Sequence, residues 1–171
     1  YNVKKVFDIS QTDAKRQRQP QVHYDDRLLL SALIAKRPVP IEMADSVQNG
    51  AVYDYERKTI FVQRGMDGQD LFRSVSLALA RAEMAQQENS TPQADAFKSY
   101  CVSYMLCRKY GVDTQGYDFS RLPDELKNAE PQTIRGELTD IRDTLQTMTG
   151  KMARTLEQSR TAAQKETGKE R

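Results

Sequence analysis

Apolar side chains recur along this chain at two periods, and the switch between them marks out its elements. Val3 to Ile9 alternates, as a strand does. Ser10 to Tyr24 is polar, contains Pro20 and carries Lys15-Arg16-Gln17-Arg18, which reads as a loop or extended arm. Asp25 or Asp26 is placed to cap a helix running to about Lys36, with Leu29, Ala32, Leu33 and Lys36 on one side, and Pro38 and Pro40 end it. Ile41 and Met43 suggest a short strand, and Asn49-Gly50 is a turn signal. Ala51 to Tyr55 and Lys58 to Gln63, rich in β-branched and aromatic residues, form a predicted hairpin turning around Glu56-Arg57. Gly65 to Gly68 is the loop that follows.

From Asp67 or Gly68 the period lengthens to that of a helix, with Phe72, Val75, Leu79 and Ala82 on a buried face. Glu88 to Pro92 breaks it. A second long helix follows from about Gln93 to Tyr110, with Phe97, Cys101, Tyr104 and Met105 on one face, Val102 and Leu106 beside it, and Gly111 as its C-cap. Gly116 to Pro123 is a loop. Beyond Pro131 the residues Ile134, Leu138, Ile141, Leu145, Met148 and Met152 form a heptad seam, with Ile134, Ile141 and Met148 at d. Gly136 and Gly150 fall at f, away from the seam, and Glu137 at g faces Arg142 at e of a partner. Two readings of this seam stay open. It folds back over the Phe97–Leu106 helix, or it forms a coiled coil with another copy or a neighbouring module, although about three heptads give marginal stability alone.

The pattern defines an α+β fold: a small antiparallel three-stranded sheet with packed helices and a long C-terminal amphipathic helix. The expected division is an α+β domain over 1–124, the amphipathic helix over 125–163 and a flexible polar tail over 164–171.

Composition narrows the picture by exclusion. The 171 residues suit one medium domain with an appendage, and a net charge of +2 supplies no global field toward nucleic acid or an anionic membrane. No apolar run approaches the roughly 20 residues of a membrane helix, and no signal peptide is visible. The chain opens at Tyr1, which reads as a segment of a longer protein. Cys101 and Cys107 sit on one predicted helix. Six residues of helix rise about 9 Å, too far for a disulfide, so both read as small buried side chains suited to a reducing cytoplasm.

Candidate chemistry is sparse. The chain has one histidine, His23, beside Tyr24-Asp25-Asp26 in a polar stretch where a solvated side chain is the simpler reading. No G-x-S-x-G, phosphate-binding loop, G-x-G-x-x-G or C-x-x-C occurs. Asp113, Asp118 and Asp124 are too scattered for a calcium loop. Arg81 and Glu83 form a candidate polar pair, with a solvated helix edge as the plainer alternative. Lys4, Lys5, Lys15, Arg16 and Arg18, with Phe7 and Tyr24 available for stacking, make the N-terminal arm a candidate DNA contact, with an ordinary soluble arm as the plainer reading.

Three stretches resemble the metallopeptidase-like domains found beside ArdC-type antirestriction proteins and related ImmA/IrrE peptidases, often labelled LtrC-like in mobile-element proteins. They are Lys5 to Thr12, similar to the entry strand; Ala51 to Val62, similar to the hairpin before the metal helix; and Leu71 to Ala82 followed by Phe97 to Thr114. The resemblance implies a zincin-like domain. In active members, two histidines one helical turn apart bind zinc and an intervening glutamate activates water. The matching positions here are Leu77, Ala78, Leu79, Ala80 and Arg81, and the third, acidic ligand falls near Lys98 or Tyr100. The resemblance therefore implies a pseudoenzyme with no catalytic residue, no metal and no cofactor. It would serve as a cytoplasmic interaction module within a larger protein of a conjugative transposon or integrative element. Protein partners or neighbouring domains of the parent chain are expected, with no membrane, and with self-association through the C-terminal helix as a further candidate. The alternatives are a metal-dependent peptidase with ligands elsewhere and a DNA-contacting accessory domain.

Overall fold

In the computed structural model, residues 24–87 and 90–167 are described, with side chains through Ser159. The expected strand Val3–Ile9, the basic arm with Lys15, Arg16 and Arg18, His23 and the entry stretch Lys5 to Thr12 lie outside them. The described residues form five helices and one sheet: α1 (Asp26–Ile34), β1 (Ile41–Ala44), β2 (Ala51–Asp54), β3 (Thr59–Gln63), α2 (Gly68–Met84), α3 (Pro92–Tyr110), α4 (Asp124–Lys127) and α5 (Pro131–Thr167). The α+β class is as expected.

The sheet is not antiparallel throughout. Its order is β1-β3-β2, with β2 antiparallel to β3 but β1 parallel to it, Ile41 opposite Ile60 and Met43 opposite Val62. Between β1 and β2 the chain turns at Asn49-Gly50. Both residues take left-handed backbone, φ 59° and 79°, and the chain is carried to the far edge, where β2 begins. The hairpin then returns β3 into the central position, running the same way as β1. The hairpin turn is held by the Asp54 carboxylate, which accepts the backbone N–H of Glu56 and of Arg57, both at 2.9 Å.

Ala51, Tyr53, Ile60 and Val62 form the inner face of the sheet and are buried. Against it lies α2, started by Asp67, whose side chain accepts the Asp70 N–H at 2.9 Å. The expected stripe Phe72, Val75, Leu79 and Ala82 is buried, and so are Ser76, Ala78 and Ala80. Small residues on several sides let the sheet, α1, α3 and α5 all approach α2, making it the central helix.

α3 is capped by Thr91, which accepts the Ala94 N–H at 3.1 Å, and closed by Gly111 at φ 75°. Its orientation corrects the sequence reading. The inner face carries Asp95, Lys98, Ser99, Val102, Ser103, Leu106 and Cys107. Phe97, Cys101 and Tyr104 are half-buried on another face and Met105 is exposed. Four polar residues face inward because partners on α2, α5 and the loops satisfy them.

The C-terminal helix folds back on its own domain, packing on α1, α2 and α3. The seam is corrected at both ends. Ile141, Met148 and Met152 are buried and Leu145 is half-buried, but Ile134 and Leu138 are exposed, while Thr144 and Leu156 join the buried face. The contact follows the straight-helix period instead of the heptad, since the helix bears on several elements at once rather than on one supercoiled partner. Gly136 and Gly150 face open space, as expected. The helix begins at Pro131 after the separate turn α4, not at 125, and continues to Thr167 where a tail was expected from 164. Among the described residues no helix is long and apolar enough to cross a membrane.

Candidate functional site

The described residues place one concentrated set of charged groups in the interior, where the C-terminal end of α2, the N-terminal half of α3, the hairpin and α5 converge. Asp95 is 1% exposed. Its Oδ2 accepts the Tyr55 hydroxyl at 3.2 Å and the Ser90 hydroxyl. Lys98, one turn on, is 7% exposed. Its Nζ lies 3.9 Å from Asp95, 3.8 Å from Glu137 and 3.0 Å from Asp140, the last two on α5. Arg81 on α2 donates from Nε to Ser99 Oγ at 3.4 Å. Glu83, two residues further, is ion-paired with Lys151 of α5.

Burial drives the Tyr55 phenol above its ordinary value, and the adjacent Asp95 charge adds to the effect, partly offset by Arg81. Tyr55 is therefore a hydrogen-bond donor to a carboxylate at neutral pH, not a base. Among the described residues no buried side-chain nitrogen or oxygen lacks a partner. A network whose buried members find their partners within the chain holds helices together.

The residues singled out from the sequence take definite places here. Leu77 is half-buried and Ala78 fully buried in the helix packing. Arg81 is not paired with Glu83: it turns to α3 and Glu83 turns to α5, so neither the Arg81–Glu83 pair nor the solvated edge is found. Lys98 is a buried cation, and Tyr100 accepts the Asp118 N–H through its hydroxyl at 2.6 Å. Glu137 engages Lys98 of its own chain, and Arg142 pairs with its neighbour Asp143 at 2.8 Å, so the expected Glu137–Arg142 contact between chains has no free members. The Tyr24 ring meets Tyr110 edge-on at 6.3 Å, within the fold.

Tyr55, Ser90, Asp95 and Asp140 were missed by sequence reasoning. A signal did exist for the α3 members. Extending the apolar pair Val102 and Leu106 backward by helical steps lands on Ser99, Lys98 and Asp95, whose polarity disguised the face.

At the opposite end of the α2–α3 pair lies a second, smaller network. Ser76 Oγ and Ser103 Oγ are 2.6 Å apart, Ser103 Oγ is 2.6 Å from the Tyr117 hydroxyl, and Cys107 Sγ is 3.4 Å from that hydroxyl. Burial raises the Tyr117 phenol and the Cys107 thiol. A thiol held protonated and fully buried is not a nucleophile. Arg73 of α2 pairs with Asp70 on its own helix and reaches Asp113, 3.3 Å away in the segment that follows α3. Cys101 is half-buried, not fully buried as expected.

Among the described residues no three His, Cys, Asp or Glu side chains are grouped to hold a metal ion. No protein-family model, curated protein or solved structure matches this chain.

Proposed function

We propose that this chain is a catalytically inactive, zincin-like module of a larger mobile-element or conjugation-associated protein, working in the cytoplasm through protein interaction. One observation supports the reading above others. Arg81 and Lys98, at the positions where the resemblance calls for a histidine and an acidic ligand, both carry cations into the seam between α2 and α3. Leu77 and Ala78 bring only hydrocarbon. The donor set does not fit zinc: a dication placed there meets two positive side chains, and the buried carboxylate beside them, Asp95, is already engaged by Tyr55, Ser90 and Lys98. In this reading a cation-filled polar lock stands where a metal centre would bind, and the domain's remaining resource is its surface.

Elemental analysis of the purified protein after exhaustive dialysis, with a peptide-hydrolysis assay in added zinc, tests the reading. Substoichiometric metal and no zinc-dependent hydrolysis are expected. About one tightly held zinc per chain, or hydrolysis that a chelator abolishes, would overturn it. The variant Leu77→His/Ala78→Glu/Arg81→His is expected to stay zinc-free as well, because Lys98 still occupies the third-ligand region.

A further inference from the structure

α5 is clamped to the body from Ile141 onward, but its first turns carry an apolar stripe that is left uncovered. Ile134 is 38% and Leu138 60% exposed. On a helix of 3.6 residues per turn, Arg135 follows next around the circumference, beside the Arg142–Asp143 pair, so the stripe is apolar with a cation on its flank. On its other side the same helix end borders an open groove of about 380 Å³. Thr133 and Glu137 line it from α5, Ala94 and Phe97 from α3, and Leu126 and Glu125 from the α4 segment. Most of the lining surface is apolar, with two carboxylates, neutral polar side chains and no cation.

We propose that this end of the molecule is a self-association surface, in which the Ile134–Leu138 stripe of a second copy occupies the groove. Two features select a second copy over another partner. Stripe and groove lie side by side on one helix end, so a two-fold axis beside α5 seats each copy's stripe in the other's groove at once. Their charges are complementary too: among the described residues the side chains of Arg135 on the stripe and Glu125 in the groove have no partner in their own chain. The interface is confined to the first turns, because Ile141, Met148, Met152 and Leu156 are already buried against the chain's own core. That distinguishes it from a coiled coil along the whole helix. It also makes the contact smaller than the roughly 1,600 Å² of a standard stable interface, so association is weak. The proposal does not depend on the zincin-like ancestry.

Sedimentation velocity on the full chain, from ~10 µM to ~1 mM, tests it in the range a small interface allows. The weight-average mass is expected to rise from 19.6 kDa toward twice that value. Leu138→Asp is expected to weaken the dimer about tenfold or more. Glu125→Arg and Arg135→Glu are each expected to weaken it about threefold, with the double variant recovering most of the loss. All three positions are exposed, so circular dichroism and the thermal midpoint should match the parent. A mass that stays at one chain throughout overturns the proposal and leaves the groove to a different occupant. A dimer indifferent to Leu138→Asp, or two charge reversals that fail to rescue each other, overturns it equally.

Discussion

The Lys98 ammonium on α3 lies 3.0 Å from the Asp140 carboxylate on α5, and Lys98 is only 7% exposed. A cation at that depth is tolerated because Asp95 and Glu137 also face it. Removing the cation leaves the 1%-exposed Asp95 without its counter-charge. Lys98→Ala is therefore expected to cost about 3 kcal/mol, whereas Asp140→Asn, at a partly exposed position whose loss leaves Lys98 two carboxylates, costs about 1 kcal/mol. Urea unfolding measures both. Equal effects would mean that the network is not anchored on Lys98.

The buried and exposed parts of α5 predict opposite outcomes from similar truncations. Met152 is 1% exposed and Leu138 is 60% exposed. Met152→Ala is expected to lower stability by about 2–4 kcal/mol through the cavity it leaves, and Leu138→Ala by no more than about 0.5 kcal/mol. Thermal or urea melts at ~5 µM, where a weak dimer is dissociated, are the check. Comparable losses would return the helix to the heptad seam.

Tyr55 ties stability to alkaline pH. Its folded-state value is raised above the ordinary 10.0 by burial first and by Asp95 second. The unfolded chain thus gives up the phenol proton at lower pH than the folded chain. The stabilisation is complete below about pH 10 and drains away as pH rises through the folded value. Urea midpoints for the parent should fall between about pH 9.5 and 11, with a shallower fall in Tyr55→Phe. Identical slopes would place the alkaline titration elsewhere.

Gly50 and Gly65 share left-handed backbone, φ 79° and 78°, but not surroundings. A Cβ on Gly65 meets open space, whereas on Gly50 it falls 2.8 Å from Met66 Sδ and 2.9 Å from Ser74 Oγ. Gly65→Ala is expected to cost about 1 kcal/mol, the left-handed penalty alone. Gly50→Ala should cost about 2–3 kcal/mol, because overpacking adds to the same penalty and the turn that sends β2 to the far edge is disturbed. Differential scanning calorimetry separates the two; similar midpoints would show that Met66 yields freely.

The sequence by itself determined the elements whose signals are local. The caps Asp67 and Gly111, the turns around Glu56-Arg57 and at Asn49-Gly50, and the stripe Phe72–Val75–Leu79–Ala82 all appear close to where short-range chemistry puts them. Local rules carry no information about which way a strand re-enters a sheet, so the parallel β1–β3 pairing was decided by tertiary structure. The same holds for the inner face of α3. Phe97, Cys101, Tyr104 and Met105 make a convincing stripe by hydrophobicity, yet Asp95, Lys98, Ser99 and Ser103 point inward, because a polar side chain is buried wherever partners from distant segments satisfy it. Those partners, Tyr55, Ser76, Glu137 and Asp140, lie from 27 to 42 residues away along the chain. A heptad pattern, likewise, states only that a helix has an apolar side. Whether another chain or the helix's own domain covers that side is set by where the fold leaves core surface open, and here it left α1, α2 and α3 to take Ile141 through Leu156.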